Sequence, residues 1–328
     1  MTHNRNILGF VMHNCPDLDC AAAYAVALAA GMPGASTAKL TFSGSSTVFD
    51  GETGEAITAE ELFEEKGLLC ADMGGGAADH HAAGTDNKGC AASLIAEMAG
   101  VHNHPLFEKV LHYVERNDLK AGNGCWEIPG LMTALNKLLP KKPELVVRIG
   151  ALLLMAKLNE QALFLKAEES VLDKGIWEDL YVLRRKFRLF VIVSDESEVH
   201  KVALRKGASV IIVLRSDGHV QIFTQKLCGF TLRPVAAELR IVEAQLQGLK
   251  LASELDSLGA IPEIPEWYLP FGMKGGERFE TGVLLNGSSK ITDSPVTQID
   301  FDRIVGIVKE NIMFLDFYQN WKKRNNRR

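Results

Sequence analysis

The sequence predicts an α/β protein in two parts: a parallel-sheet domain followed by a smaller mixed α/β C-terminal domain, joined by a helical linker. Three observations carry that prediction. Short apolar runs alternate with helical patterns through the first half, the rhythm of βαβ units around a parallel sheet. One uninterrupted helical pattern then runs from residue 143 to about 170. After it the chain restarts with β patterning at 188–193, 210–214 and 220–224, the last two joined by a Ser216-Asp217-Gly218 turn. At 328 residues the chain is long enough for two cores. The pattern assigns 1–175 to the first domain, about 176–187 to the linker and 188–328 to the second.

Taken in order, residues 7–12 read as a buried first strand, 13–19 as a polar loop, and the alanine-rich 20–30 as a helix closed by Gly31, Pro33 and Gly34. Strands are expected at 40–42, 47–49 and 67–71, with a short helix at 59–65 between them. Helices are expected at 87–100 and 106–117. In the second half, Asp195 with Glu198 suggests a capping box opening a helix that ends before Gly207. A helix at 234–247, a proline-rich loop with Pro262, Pro265 and Pro270, a strand at 282–285 and a final helix over 300–321 complete the reading.

Composition narrows the partners. The chain has 36 basic against 41 acidic residues, a net charge of −5. The last seven residues hold five of the cations and no acid, so the rest of the chain stands at −10. That balance argues against binding long duplex DNA, which draws on concentrated Lys and Arg, and suggests that some carboxylates serve a cation. The six cysteines (Cys15, Cys20, Cys70, Cys90, Cys125 and Cys228) form no CxxC pair, so neither a zinc knuckle nor a disulfide scaffold is expected. The first residues lack the apolar stretch of a signal peptide, and the longest uncharged run, 20–38, is broken by Gly31, Pro33 and Gly34. A cytoplasmic chain with no membrane partner is the expectation; a homodimer stays open.

The chemistry gathers where strands end. His13-Asn-Cys-Pro-Asp17-Leu-Asp19 puts one imidazole and two carboxylates on a loop between a strand and a helix. Asp72 closes another strand, and Asp79-His80-His81 follows within nine residues. Alone, Asp17 reads as a helix cap and His13 as a bonded surface histidine. Together these residues form a His and Asp donor set that suits Mn²⁺, with Mg²⁺, Co²⁺ or Fe²⁺ as alternatives. A carboxylate flanked by others is the arrangement for two ions about 3.5–4 Å apart that activate water for phosphoryl displacement.

In this order the residues resemble motifs I to IV of the DHH phosphoesterase superfamily: His13-x-x-Pro16-Asp17-x-Asp19, Asp72, Asp79-His80-His81, and an acid at a helix end in Tyr113-Val-Glu-Arg-Asn-Asp118. That superfamily includes RecJ-type exonucleases, nano-RNA and cyclic-dinucleotide phosphodiesterases, exopolyphosphatases and family II pyrophosphatases. The resemblance covers residues 7–120 by motif and implies that the first domain is a catalytic, metal-binding one. It implies two divalent ions: His13 and Asp17 on one, Asp19, His80 and Asp118 on the other, and Asp72 between them. His81 would face the substrate phosphate, and Asp79 would orient a neighbouring imidazole. Glu115 is the alternative to Asp118. Asp72 and the Asp-His-His run are only seven residues apart, a spacing similar to the branch with Asp-x-Gly-Gly before the motif.

The second domain is expected to bind substrate, although the Gly-Gly-Gly-His segment of the superfamily and the Arg-Lys-Lys cluster of its pyrophosphatases are both missing. Asn286, Gly287, Ser288 and Lys290 form a polar loop suited to a phosphate, with an ordinary Asn-Gly turn as the structural alternative. Trp267 and Tyr268 can stack a base or pack a loop, and the Arg184-Arg185-Lys186 run can gather a polyanion or be solvated. The implied function is metal-dependent hydrolysis of a phosphate-containing small substrate or short single-stranded oligonucleotide. Phosphodiesters of short oligonucleotides or cyclic dinucleotides come first and phosphoanhydrides second. A non-catalytic scaffold that binds nucleic acid or a protein is the third reading.

Overall fold

Gly9–His13 (β1) is the middle strand of a three-stranded parallel sheet, with Lys39–Ser43 (β2) on one side and Leu68–Cys70 (β3) on the other. This computed structural model describes residues 6–45, 47–48, 53–81, 89–120, 124–250, 254–287 and 294–325. The chain divides into two compact units, Met1–Ala162 and Leu163–Arg328.

In the first unit the strand alternation sorts the core. Phe10 and Met12 face the main cluster, built on Leu18–Ala29 (α1) with its run of buried alanines. Val11 faces the other way, toward Leu62 of Ala59–Lys66 (α2) and Met73. A helix buried along nearly its whole length needs small side chains to approach its neighbours, which explains the alanines. Helix α2 opens on a capping box of Thr58 and Glu61 and closes on Gly67, whose φ of 66° suits glycine. Ala91–Met98 (α3), Pro105–Lys120 (α4), Ile128–Leu138 (α5) and the start of Pro143–Lys174 (α6) complete the unit.

Two first-unit expectations change. Thr47 and Val48 are not in a strand, and residue 49 lies outside the described residues. The helix expected over 87–100 spans Ala91–Met98, with 87 and 88 outside the described residues. Helix α5, on which Met132 is fully buried, was not expected.

The second unit is built on a seven-stranded sheet in the order β4-β5-β6-β7-β13-β10-β9. Its first strands are Ile176–Val182 (β4), Arg185–Val193 (β5), Val210–Leu214 (β6) and Val220–Thr224 (β7), with Val199–Arg205 (α7) between β5 and β6. Phe230–Thr231 (β8), Arg233–Gln247 (α8), Gly259–Ile261 (β9), Ile264–Leu269 (β10), Phe271–Lys274 (β11), Glu277–Glu280 (β12) and Val283–Leu285 (β13) follow. Phe301–Asn311 (α9), Met313–Phe314 (β14) and Leu315–Asn325 (α10) end the described chain. Strands β5 and β6 run parallel and the other pairs antiparallel.

Residues 176–187, read from sequence as a linker, form the β4–β5 hairpin instead. Its two-residue turn is Leu183-Arg184, with φ of 48° and 65°, and the usual Gly or Asn of such turns is missing from the sequence. The second unit is therefore not the smaller one, and the division falls inside α6. No capping box forms at α7: the Glu198 side chain caps nothing, and Asp195 Oδ1 accepts from the Ser216 amide. The proline-rich loop holds β9 and β10, with Pro262 between them. The single final helix is two, interrupted where Met313 and Phe314 pair with Thr231 and Phe230. Phe314 stacks on Phe230 at 5.3 Å, packing that overrides the helical pattern.

Candidate metal centre

Four elements of the first unit deliver the side chains. His13 ends β1, Asp17 and Asp19 begin α1, Asp72 follows β3, and Asp118 lies in the last turn of α4. Asp17 caps α1 by accepting from the amides of Asp19 and Cys20. Asp19, only 1% exposed, accepts from the amides of Ala91 and Ala92 at 2.6 and 2.9 Å. Helix α3 has no side-chain cap of its own, so a carboxylate 72 residues earlier fills that place. Asp72 takes a φ of 60°, a left-handed conformation that Asp tolerates better than most residues.

Asp72 is the centre of the arrangement. Its Oδ2 lies 3.3 Å from His13 Nε2 and 3.8 Å from Cys20 Sγ. Its Oδ1 lies 3.3 Å from His80 Nδ1 and 3.7 Å from His81 Nε2. On one side His13 Nε2 is 4.0 Å from Asp17 Oδ1; on the other, His80 reaches Asp19 Oδ2 at 3.7 Å and Asp118 Oδ2 at 3.2 Å. The ligand atoms fall into overlapping sets: His13, Asp17, Cys20 and Asp72; Asp72, His80 and His81; Asp19, His80 and Asp118. The six residues assigned to metals from sequence are thus brought together, Asp72 between the other two groups.

The remaining site residues divide. His81 is largely exposed beside Asp72. Asp79 is buried and accepts from the backbone amides of Gly75 and His81, so it holds the loop rather than an imidazole ring. Glu115 accepts from the Ser93 hydroxyl, which leaves Asp118 as the acid facing His80. In the second unit Asn286 is fully buried: its amide nitrogen donates to the carbonyls of Glu266 and Pro295, and its oxygen accepts from Thr297. Gly287 has φ 72°, and a Cβ there would stand 2.3 Å from the His219 ring. Both fit a structural turn, while Ser288 and Lys290 lie outside the described residues. Trp267 is fully buried and donates to Glu243, so it packs a core. Sequence reasoning missed the Ala91 and Ala92 amides, and Asn136, which donates to the Pro16 carbonyl and steadies the His13–Asp19 loop.

Crowded carboxylates set the electrostatics. Burial, then the neighbouring Asp72, pushes Asp19 up to about 8. Withdrawal from water and Asp72 also raise Asp17, and burial raises Asp118 against the opposing pull of His80. The hydrogen bond to Asp72 raises His13. Burial and three nearby carboxylates hold the Cys20 thiol well above its ordinary range, so it is a neutral thiol. Asp72 Oδ1 and Asp118 Oδ2 are buried and accept no hydrogen bond. Buried polar atoms are normally satisfied, and converging carboxylates repel one another, so a divalent cation fits this donor set. Imidazole nitrogens and carboxylate oxygens suit Mn²⁺, Fe²⁺, Co²⁺ or Mg²⁺.

Comparison with protein-family models and with curated proteins returns no match. Among the described residues no helix is long and apolar enough to cross a membrane.

Proposed function

We propose that the chain is a metal-dependent phosphohydrolase of the kind the DHH motifs imply, acting on phosphodiesters of short oligonucleotides or cyclic dinucleotides. The observation that supports it is Asp72, whose two oxygens face two separate donor groups. His13, Asp17 and Asp72 would hold one ion and Asp19, His80 and Asp118 the other, with Asp72 between them as the resemblance implies. Two divalent ions, when bound, lower the pKa of water and neutralise charge on phosphoryl oxygens. The chain's own residues do the positioning. Asp17 is fixed by α1 and Asp19 by α3, so neither carboxylate has to be ordered when substrate arrives. His81, exposed at the edge of the cluster, can donate an N–H to a phosphate oxygen. Among the described residues no lysine or arginine pairs with these carboxylates, which favours a diester with one charge per phosphate over a polyphosphate chain.

The experiment is a Mn²⁺ panel of a two- to five-nucleotide RNA, a cyclic dinucleotide, bis(p-nitrophenyl) phosphate, pyrophosphate and polyphosphate, with metal content measured alongside. Hydrolysis of the diesters, and loss of bound metal in Asp118→Asn but not Glu115→Gln, is the expected result. Activity confined to the last two substrates overturns the diester assignment. No activity together with unchanged metal content in Asp118→Asn overturns the enzymatic reading.

A further inference from the structure

Cys20 belongs to one donor set with His13, Asp17 and Asp72, yet the motifs give it no task. Its place follows from the start of α1. Asp17 is the N-cap, and Leu18, Asp19 and Cys20 are the first three helical residues. The cap and the third residue of a helix stand on one side, the geometry that lets a capping box close. Cys20 therefore shares a face with Asp17, to whose Oδ1 its amide donates at 3.1 Å. Asp19, one position earlier, turns instead to the amides of Ala91 and Ala92.

The Cys20 side chain is fully buried, with Sγ 3.8 Å from Asp72 Oδ2. His13 Nε2 stands 3.3 Å from that same oxygen and 4.0 Å from Asp17 Oδ1. One atom from each of the four residues lies within 4.8 Å of every other. Zinc bonds of about 2.3 Å to sulfur and 2.0–2.2 Å to nitrogen and oxygen put tetrahedral neighbours roughly 3.5 Å apart, so small movements close these atoms on one ion. A buried thiol by itself is only a small apolar group, at home beside the alanines of α1. A second observation points to an ion: Asp72 is 8% exposed, and its Oδ1 accepts no hydrogen bond. A way in exists too, because the side chains of His13 and Asp17 are 33% and 50% exposed while the sulfur lies on the inner side. We propose that Cys20 is a thiolate ligand, the fourth in a site with His13, Asp17 and Asp72 that takes Zn²⁺ in preference to Mn²⁺ or Mg²⁺. When the ion binds, the S–H bond breaks, its proton passes to solvent and a sulfur lone pair goes to the metal. Soft sulfur favours Zn²⁺, whereas Asp19, His80 and Asp118 offer only nitrogen and oxygen and suit Mn²⁺ or Mg²⁺. The two halves of the centre thus differ in metal preference. The inference rests on the metal-binding part of the proposed function and needs no particular substrate.

The test uses Co²⁺, which replaces zinc and reports bound sulfur as an intense charge-transfer absorption in the near ultraviolet. The full chain is stripped with EDTA, loaded with Co²⁺ and compared with Cys20→Ser, Cys20→Ala and Cys15→Ser, with bound metal measured and folding followed by circular dichroism. Wild type and Cys15→Ser should show the band, and both Cys20 variants should lack it. Cys20→Ala matches the alanines that follow it, so the test holds even where the serine hydroxyl disturbs the fold. In competition, the preference for Zn²⁺ over Mn²⁺ should fall at least about tenfold without the sulfur, the lower end of what removing even a supporting group costs. Bound Co²⁺ without the band in wild type, or a band that survives the loss of Cys20, overturns the ligand assignment and leaves the diester reading standing. A band that depends on Cys20 in a protein that hydrolyses no phosphodiester or phosphoanhydride keeps the ligand and sinks the phosphohydrolase. Failure to bind Co²⁺ at all overturns both.

Discussion

Each unit buries charge, and the two treat it in opposite ways. In the second, Arg240 is fully buried and its guanidinium donates to the carbonyls of Leu255, Ser257, Gly259 and Trp267. Glu243, also fully buried, accepts from the Trp267 indole, the Thr297 hydroxyl and the Gln298 amide. Burial pulls Arg240 down to about 10, which still leaves it charged at neutral pH. In the first unit, Asp72 Oδ1 and Asp118 Oδ2 instead make no hydrogen bond and share one imidazole, His80, at 3.3 and 3.2 Å. A buried charge whose partners come from the chain is a structural device. Several carboxylates converging on shared histidines, with more acceptor oxygens than the chain has donors for, leave room for a cation the chain does not supply.

Removing one member from each region tests the contrast. Asp72→Asn should cost the most: about 10³-fold in kcat/KM, near 4 kcal/mol, with bound metal lost by elemental analysis. Asparagine tolerates the left-handed backbone at this position, so the metal-free fold should hold. Retained metal and activity would make the cluster as self-contained as the Arg240 network. Arg240→Met should do the reverse, lowering stability by about 3 kcal/mol in urea unfolding because the carbonyls lose their donors, while the metal content of the folded protein stays put. A neutral effect there would show that the second unit's charge is dispensable.

The smallest effect is in pH. The ordinary value for Asp19 is 3.8, and in the fold it reaches about 8. Between these values the metal-free native chain holds a proton that the unfolded chain has released. Stability from this group is therefore fully present below about pH 4 and is lost as pH rises through about 8. In EDTA, the melting temperature of wild type relative to Asp19→Asn should fall as the pH rises from 5 to 8. Mn²⁺ should flatten that slope. Equal slopes without metal would mean that the fold does not hold a proton on Asp19.

The sequence brought out His13, Asp17, Asp19, Asp72 and Asp118 because each sits at or beside a strand or helix end, where a run of periodic residues stops; His80 stands in a turn and was found through its neighbours Asp79 and His81. The β6 and β7 strands and helix α6 were legible for the same reason. What escaped was set by distant partners. Strand β4 pairs through a turn with neither Gly nor Asn, and helix α9 stops where Phe314 finds Phe230. Asn286 looked like an exposed loop residue, but its hydrogen bonds reach 9 to 20 residues away, beyond any local pattern. The capless start of α3 was the one available hint that Asp19 had a second task.

That second task governs how the centre is assembled. Because Asp19 anchors α3 through two backbone amides, one ligand of the cluster is locked in place by folding itself. An ion that enters meets a finished socket, and the chain has little conformational entropy left to lose at that carboxylate. What it must displace is the proton that Asp19 retains up to about pH 8. Ion uptake at this position would then be an exchange of cations, proton for metal, read out as acid released into an unbuffered solution.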